Sequence, residues 1–390
     1  MDVENEIFVS VKLFTKVERY QIGTDTISLP ARFSRIDLSK LVNETLELEK
    51  HIPFDFIING SLLRTSLSEY MSTNGISTEN TLSIEYLPII GKPEEKSSED
   101  LPDWVSGIAN CERCYAVGCY DGSVHVYNAD DTLLTKKMVH KRPIKGIDCQ
   151  IVNALPMIAS VSLDNTLRLQ KVENDELVDV ATCKAHKSHV MCCRLNPSGL
   201  VASGAWNGSI YVWNAQTEAK EAEPVHSLLE SEEGITGIDW WKNNVVSGGW
   251  DHVIRIWDLE TEGMLQDMKG NKVVNYLRVN EVNQLVASAH PDGITRLWDQ
   301  RQEKANVMSL VGKQEFCSAV DWHPKNDWLV SATDFAGNVT IFDIRSSYPL
   351  HVTEHVHSGK IFCGVWKSEN LMLTGGDDKK LKRLAADSNN

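Results

Sequence analysis

The chain of 390 residues carries a formal charge of −15, and its 42% hydrophobic and 24% charged residues are typical of a globular protein. It has no long apolar run, so a membrane span is not expected. The acidic start lacks the features of a signal peptide, and the nine cysteines are therefore expected to be reduced thiols. The negative charge argues against a protein that binds nucleic acid mainly through phosphates, so direct nucleic-acid contact is not expected to dominate.

Residues 1–90 are predicted to form a small α+β domain. Ile7–Phe14 alternates as a strand does, and Gln21–Leu29 is a second, weaker strand. Apolar residues recur at helical spacing over 38–46, with Asp37 or Ser39 available as the N-cap. A strand, a hairpin, a short helical turn and a last strand follow: Phe54–Ile58, Asn59-Gly60 leading into Leu62–Thr65, Ser66–Met71 and Thr81–Tyr86.

This order of elements resembles the ubiquitin-like β-grasp fold. The resemblance lies in the last two-fifths of ubiquitin, which Phe56–Leu63, Leu67–Tyr70 and Ile76–Ile84 follow closely. The domain does not end in Gly-Gly, so conjugation is not expected. The resemblance implies a fixed docking module.

The next segment, residues 91–101, is polar and is predicted to be a linker that could also supply a closing strand to the domain behind it. Composition changes here, because all 11 tryptophans and all nine cysteines lie beyond residue 100. The domain boundary is therefore expected close to this point.

Residues 102–390 repeat one design of strand, tight turn and alternating strand. The period of 41–44 residues fits the four strands of a propeller blade, and three of the turns read Asp-Gly or Asn-Gly. Seven positions mark these turns: Asp121, Asp164, Asn207, Asp251, Asp292, Ala336 and Asp378.

The repeats resemble the WD-repeat family, since Trp257-Asp258 and Trp298-Asp299 carry its dipeptide. That family joins a His, a Ser, the turn Asp and a Trp by buried hydrogen bonds. The resemblance assigns this structural role to His186, Ser203, Asn207 and Trp213. The fold class expected for the chain is an α+β ubiquitin-like β-grasp domain followed by an all-β seven-bladed WD-repeat propeller.

Closure of the ring needs a strand from outside the repeats. The last repeat leaves too few residues after Leu384 for a fourth strand. Residues just before Trp104, within Leu87–Glu95, are predicted to supply the outer strand of the last blade.

The pair of domains resembles eukaryotic large-ribosomal-subunit assembly factors of the Ytm/WD-repeat-twelve type. The resemblance implies a non-enzymatic factor in pre-rRNA processing, located in the nucleolus and nucleoplasm. Its propeller would bind a propeller-bearing assembly factor, in a heterotrimer with a Pescadillo-type protein. Its ubiquitin-like domain would dock onto the AAA ATPase midasin, which removes the factor from large-subunit precursors.

The same resemblance implies that Glu79 ligates the Mg²⁺ of midasin's adhesion site, so that the protein needs no cofactor of its own. Mg²⁺ prefers hard oxygen ligands, and a partner's carboxylate can fill an open coordination position. Ile76, Ser77, Thr78 and Asn80 would complete the docking turn. An ordinary solvated acid is the alternative for Glu79.

A second binding surface is predicted on one rim of the propeller, at Tyr120, Trp206, Trp250 and Phe335. Exposed aromatic side chains on a rigid scaffold are typical of binding hot spots. Packing between blades is the alternative, and the exposure of Trp206 and Trp250 decides between the two.

Two further motifs carry less weight. Cys111-Glu-Arg-Cys114 lacks a second pair or a suitably spaced His, so zinc is not expected there. Trp298-Asp-Gln-Arg301 resembles the Trp-Asp-x-Arg ends of WD-repeat substrate receptors of cullin ubiquitin ligases. This gives the alternative function, although it leaves the N-terminal domain unexplained.

Overall fold

The computed structural model describes residues 7–23, 25–48, 51–77, 79–228, 233–302, 305–346 and 348–386, apart from the side chain of Glu18. The chain divides between Lys92 and Pro93 into two compact units, and the second comprises Pro93–Ile344 and Tyr348–Ala385. In these described ranges no helix has the length and apolar character needed to cross a bilayer.

The first unit is a five-stranded mixed sheet with a helix packed against it, as in ubiquitin-like domains. The sheet order is β2-β1-β5-β3-β4, and the central pair β1 and β5 runs parallel. In chain order the elements are β1 Phe8–Phe14, a 3₁₀ turn Glu18–Tyr20, β2 Thr26–Pro30, α1 Arg35–Thr45, β3 Phe54–Ile58, β4 Ser61–Leu62, α2 Leu67–Thr73 and β5 Leu82–Pro88.

Alternation in β1 buries one face of the sheet. Val9, Val11 and Leu13 are buried in the same core as Leu38 and Val42 of α1. This fixes the helix on the sheet by apolar contact and leaves the other side chains of β1 outside the core.

Two turns show how the local sequence ends these elements. Asn59 and Gly60 have φ of 49° and 80°, as a type I′ hairpin requires. The predicted N-cap is wrong, because Ser34 caps α1 one turn earlier. The backbone N–H and the hydroxyl of Ser34 both donate to the Asp37 carboxylate, at 2.9 and 2.7 Å. Ser39 is instead buried, and its hydroxyl accepts from the Phe54 N–H at 3.0 Å.

The second unit is a propeller, and the described residues form seven blades, as predicted. The inner strands of successive blades pack against one another around the ring, and the last also packs against the first. From the inner strand outwards, blade 1 comprises Val105–Asn110, Cys114–Cys119, Ser123–Asn128 and Leu133–Met138, and blade 2 comprises Ile144–Val152, Leu155–Ser162, Leu167–Glu173 and Glu176–Cys183, with Glu221–Ala222 added at its edge. Blade 3 comprises Val190–Leu195, Leu200–Ala205, Ile210–Asn214 and His226–Leu228, and blade 4 comprises Ile235–Trp241, Asn244–Gly249, Val253–Asp258 and Gly263–Lys269. Blade 5 comprises Tyr276–Asn280, Leu285–Ala289, Ile294–Trp298 and Asn306–Val311, and blade 6 comprises Cys317–Trp322, Leu329–Asp334, Val339–Asp343 and Pro349–Thr353.

Blade 7 combines three C-terminal strands with one strand from before blade 1. Ile361–Ser368, Leu371–Gly376 and Lys380–Ala385 are followed outwards by β6, Glu94–Asp100, which runs antiparallel to the last of them. β6 lies within the segment 91–101 that was expected to be able to supply a closing strand, whereas the narrower prediction of Leu87–Glu95 is too early in the chain. The apolar residues there end β5, whereas the exposed outer strand needs backbone pairing and no apolar pattern.

Opposite charges line this closing pair. β6 reads Glu-Glu-Lys-Ser-Ser-Glu-Asp, and its partner reads Lys-Leu-Lys-Arg-Leu-Ala. Lys382 pairs with Glu95 at 2.6 Å and Arg383 with Glu99 at 3.0 Å. The basic run near the C-terminus is therefore the complement of the acidic closing strand.

Carboxylates on the inner strands link neighbouring blades. In blades 2, 4 and 6 one Asp accepts a backbone N–H from the next blade, and arginines of blades 3 and 5 lie between these carboxylates. The backbone pairs are Leu195 to Asp148 at 2.7 Å, Val279 to Asp239 at 2.8 Å and Trp366 to Asp321 at 2.9 Å, and the arginine pairs are Arg194 with Asp148 and Arg278 with Asp321, both at 2.9 Å.

Within blade 3 the predicted polar set lies together, with one member added. His186 Nε2 lies 2.7 Å from Ser203 Oγ, which also accepts from Trp213 Nε1 at 2.8 Å. Asn207 is joined through Ser209, whose hydroxyl lies 3.0 Å from His186 Nδ1 and donates to Asn207 Oδ1 at 2.9 Å. Burial lowers the pKa of His186 to about 3, so this histidine is neutral.

Closure by β6 gives a direct prediction. A chain beginning at Pro93 keeps the outer strand of blade 7, whereas one beginning at Leu101 leaves Lys380–Ala385 as an unpaired edge. We expect the shorter chain to unfold at lower denaturant and to aggregate, as measured by urea titration and light scattering. Equal midpoints for the two chains would contradict closure by this strand.

Burial of His186 gives a prediction for pH. The unfolded chain binds a proton on this residue below about pH 6.5 and the folded chain does not, so stability falls as the pH drops. Between about pH 7 and 5 the wild type should lose about 1–2 kcal/mol more than His186→Gln loses. Urea unfolding at both pH values measures this difference, and His51→Gln, at an exposed position, is the control. Equal losses in wild type and His186→Gln would rule out a neutral buried histidine.

Candidate partner-docking sites

The turn that carries Glu79 lies between α2 and β5 and is held at both ends. After α2, the Ile76 N–H donates to the Met71 carbonyl at 2.9 Å, and the Ile76 side chain packs against the domain core. Ser77 then accepts from two residues beyond it: its carbonyl from the Asn80 N–H at 3.2 Å and its hydroxyl from the Glu79 N–H at 3.3 Å. The backbone at Glu79 is therefore positioned by the fold.

The Glu79 side chain is exposed, and no residue in the described part of the chain pairs with its carboxylate. Two other acids of this domain are ion-paired: Asp55 with Arg35 at 3.0 Å, and Glu85 with Lys16 at 3.6 Å. An exposed carboxylate on a braced turn suits ligation of a cation held by another molecule.

The remaining predicted members of this turn have different positions. Ser77 and Asn80 are exposed beside Glu79, whereas Ile76 is half-buried and anchors the turn. Thr78 lies outside the described residues. The surface available to a partner is therefore polar and centred on Glu79.

The propeller carries a second site at the mouth of its central channel. A cavity of about 270 Å³ is lined by residues of the inner strands of the blades and, at its rim, by all four predicted aromatic residues, Tyr120, Trp206, Trp250 and Phe335. They follow second strands or occupy the turns after them, and these turns lie at one end of the blades. Because the four residues occupy the same position in their repeats, they lie around the same end of the propeller.

Exposure favours the binding interpretation for the two tryptophans. Trp206 and Trp250 are 42% and 46% exposed, and their rings contact edge to face at 5.0 Å between centroids. Tyr120 and Phe335 are half-buried. The mouth therefore presents a pair of large apolar surfaces in a fixed mutual geometry.

Sequence reasoning missed three further members of the rim. Phe362 contacts both Tyr120 and Phe335, Trp104 packs on Tyr120 and Phe362, and Phe316 stacks on Phe335, with 4.3–5.9 Å between ring centroids. Each lies in the short segment just before an inner strand or at its start, whereas the prediction used only positions next to the repeat turn. Inspection of the residues that precede each inner strand would have found them.

Cations lie over two of these rings. Lys145 Nζ is 5.3 Å from the centroid of Tyr120 and 3.1 Å from its hydroxyl, and Lys360 Nζ is 5.2 Å from the centroid of Phe335. In a protein of charge −15, this gives the mouth a local positive character. An apolar partner segment with acidic neighbours would fit it.

The Trp298–Arg301 motif, on which the ligase alternative depends, forms an ion pair between two of its own residues. The Arg301 guanidinium binds both oxygens of the Asp299 carboxylate, at 2.8 and 2.7 Å. This pairing holds the end of the repeat and lowers the pKa of Asp299. The structure therefore adds no observation in favour of a cullin ligase receptor.

These features define a class: a WD-repeat propeller with an exposed aromatic mouth, carried on one chain with a ubiquitin-like domain that presents an exposed acid on a braced turn. Two protein-family models match the chain, one in each unit. The NLE (NUC135) domain matches residues 9–71, and the WD domain, G-beta repeat, matches 178–214, 222–258 and 304–343.

Curated relatives match across both units. The ribosome biogenesis protein WDR12 homolog of Arabidopsis thaliana is 31% identical over 98% of each chain. That of Nematostella vectensis is 28% identical over 97% of this chain and 99% of its own, and the ribosome biogenesis protein YTM1 of Kluyveromyces lactis is 27% identical over 96% of each. The chain belongs to this WDR12/YTM1 family of ribosome biogenesis proteins, which confirms the resemblance seen in the sequence.

Proposed function

We propose that this protein is a non-catalytic assembly factor for the large ribosomal subunit, which connects a partner complex to the ATPase that removes it. Membership of a ribosome biogenesis family across both units supports the general role. The observation that carries the finer proposal is the exposed Glu79 carboxylate on a braced turn, which has no ion-pair partner among the described residues.

The ubiquitin-like domain docks through Glu79 onto the adhesion-site Mg²⁺ of a midasin-type AAA ATPase. Mg²⁺ demands near-octahedral oxygen coordination and keeps exchangeable waters, so one incoming carboxylate can replace a water. Because Ser77 holds the backbone at Glu79, the length of the side chain decides whether its carboxylate reaches the metal, so a Glu fits where the shorter Asp does not. The protein needs no cofactor of its own for this contact and shares the partner's Mg²⁺.

The propeller holds the rest of the complex through its aromatic mouth. We place the propeller-bearing assembly factor there, with the Pescadillo-type protein as the third member of the heterotrimer. Tryptophan contributes large contact area at low entropic cost, which suits a hot spot. This role places the protein on large-subunit precursors in the nucleolus and nucleoplasm, where spacer rRNA is processed.

Glu79→Ala should abolish docking to the adhesion-site domain in Mg²⁺. We expect affinity to fall by more than about tenfold, because loss of one interaction to a charged group costs on the order of 1.5–3 kcal/mol. Calorimetry with the full chain and the isolated adhesion-site domain measures this, with EDTA as the metal-free comparison. In cells the variant should accumulate on large-subunit precursors in gradient sedimentation.

A matched control and a conservative variant sharpen this test. Glu44→Ala removes an exposed acid of α1 in the same domain and should bind as wild type does. Glu79→Asp keeps the charge but shortens the reach, so it should also lose docking. Wild-type affinity in Glu79→Ala would overturn the docking proposal and leave the propeller proposal standing.

The aromatic mouth is tested by Trp206→Ala combined with Trp250→Ala. The double variant should lose co-purification of the propeller-bearing partner, since truncation of a hot-spot tryptophan costs at least about 2 kcal/mol. Val282→Ala is the control, because Val282 is 75% exposed but lies in a turn between first and second strands, at the opposite end of the blades. Retained partner in the double variant, with loss in Val282→Ala, would place the interface on the other face.

A further inference from the structure

Three cysteine thiols meet between blades 1 and 2. Cys111 and Cys114 flank the two-residue turn of the first hairpin of blade 1, and Cys149 lies in the inner strand of blade 2. Cys111 Sγ is 3.5 Å from Cys114 Sγ, Cys114 Sγ is 4.0 Å from Cys149 Sγ, and all three sulfurs lie within 4.8 Å of one another. The sequence-based rejection of a metal here considered only the first two.

Buried thiols of this fold commonly lie against backbone carbonyl oxygens, and Cys111 Sγ is itself 3.3 Å from the Cys114 carbonyl oxygen. Cys192, Cys193 and Cys363 direct their thiols at backbone carbonyl oxygens of neighbouring strands, at 3.5–3.9 Å. Among the nine cysteines, all in the described part of the chain, sulfurs approach within 4.0 Å of one another only in the cluster of Cys111, Cys114 and Cys149. Core packing alone does not bring thiols together elsewhere in this propeller.

We propose that Cys111, Cys114 and Cys149 form a binding site for one thiophilic metal ion, Zn²⁺ in the first instance. Three thiolates around Zn²⁺ with bonds of about 2.3 Å lie about 3.8 Å apart, close to the two shortest separations here. Soft thiolate ligands select Zn²⁺ or Cu⁺ over Mg²⁺ and Ca²⁺. The fourth position of a tetrahedral ion falls to water or a backbone oxygen.

The surroundings of the cluster suit an ion and allow it to enter. Cys114 and Cys149 are buried, whereas Cys111 is half-buried beside the exposed Glu112 and Arg113. Metal ligands of this type bind as thiolates, so binding of the ion would release protons from the cysteines.

The hairpin is positioned against blade 2 by a separate contact. The Arg113 guanidinium donates to the Ala154 carbonyl at 2.8 Å, in the turn that follows the strand of Cys149. The Cys111 N–H donates to the Cys114 carbonyl at 2.9 Å and closes the turn between them. A bound ion would therefore join two blades whose ligands the fold already holds in place.

Metal content of the full chain tests this proposal. Protein purified under reducing conditions and dialysed against Zn²⁺ should retain one ion per chain by mass spectrometry. Co²⁺ in its place should give a thiolate-to-metal charge-transfer band. Retention of copper rather than zinc after exposure to both ions would also support the three-thiolate site and would identify Cu⁺ as its ion.

Variants separate this site from adventitious binding. Cys149→Ala leaves the hairpin pair intact but should lose the retained ion, the charge-transfer band and the rise in melting temperature that Zn²⁺ gives the wild type. Cys183→Ala removes a buried thiol outside the cluster and should keep all three. If Cys149→Ala does not fold, Cys111→Ala, which changes the half-buried cysteine of the cluster, provides the same test. Metal retention in these cluster variants, or metal-free wild type with a Cys111–Cys114 disulfide, would overturn the proposal.

Discussion

Closure of the ring is the constraint on which the propeller depends. Each inner strand packs against the next, and the last against the first, so an open ring would expose two apolar blade faces. The chain meets this requirement with β6, which comes before blade 1 but forms the edge of blade 7. Its acidic residues face a basic strand, and the pairs Lys382–Glu95 and Arg383–Glu99 fix which edge it joins. Lys382 and Arg383 are largely buried while Glu95 and Glu99 stay partly exposed, so these pairs favour one register and add to the backbone ladder of the strand pair.

A second set of contacts, on the inner strands, links blades 2 to 7. Asp148, Asp239 and Asp321 each bridge to the next blade through a backbone N–H, and Arg194 and Arg278 lie between them. Burial raises the pKa of Asp148, while the neighbouring arginines oppose that shift. At the seam between blades 7 and 1, Asp131 of blade 1 pairs with Lys367 and Arg383 of blade 7, at 2.6 and 3.2 Å. These pairs lie beside an apolar cluster that includes Val105 and Leu373. The seam is thus held by ion pairs, apolar packing and the closing strand.

The sequence predicts features that depend on neighbouring residues better than features that depend on contacts between distant parts of the chain. Repeats with a period of 41–44 residues determine the number of blades, because every blade repeats the same local turn. The position of β6 could not be read in this way, since a solvent-facing outer strand carries no apolar alternation. Ser34 was missed because the apolar pattern of α1 begins after its first turn.

The same reasoning explains which site residues were found. Tyr120, Trp206, Trp250 and Phe335 share a position in the repeat, and a repeat places equal positions on one rim. Trp104 and Phe316 belong to the segments that lead into inner strands, which vary in length between repeats. Cys149 lies 35 residues after Cys114, and only the packing of blade 2 on blade 1 brings the two sulfurs to 4.0 Å. Residues that are brought together only by the packing of one blade on another therefore could not be predicted from the sequence alone.

The arrangement of charge explains how one acid among many can be a docking group. With 54 acidic residues, the surface offers carboxylates almost everywhere, so net attraction to a metal site cannot select a partner. Selection must come from geometry. Ile76 anchors the turn in the core, Ser77 accepts from the Glu79 and Asn80 N–H groups, and none of the described residues pairs with the carboxylate of Glu79. An acid on a held backbone loses less conformational entropy on binding than one on a mobile loop, and this difference is the argument for proposing Glu79 as the docking acid.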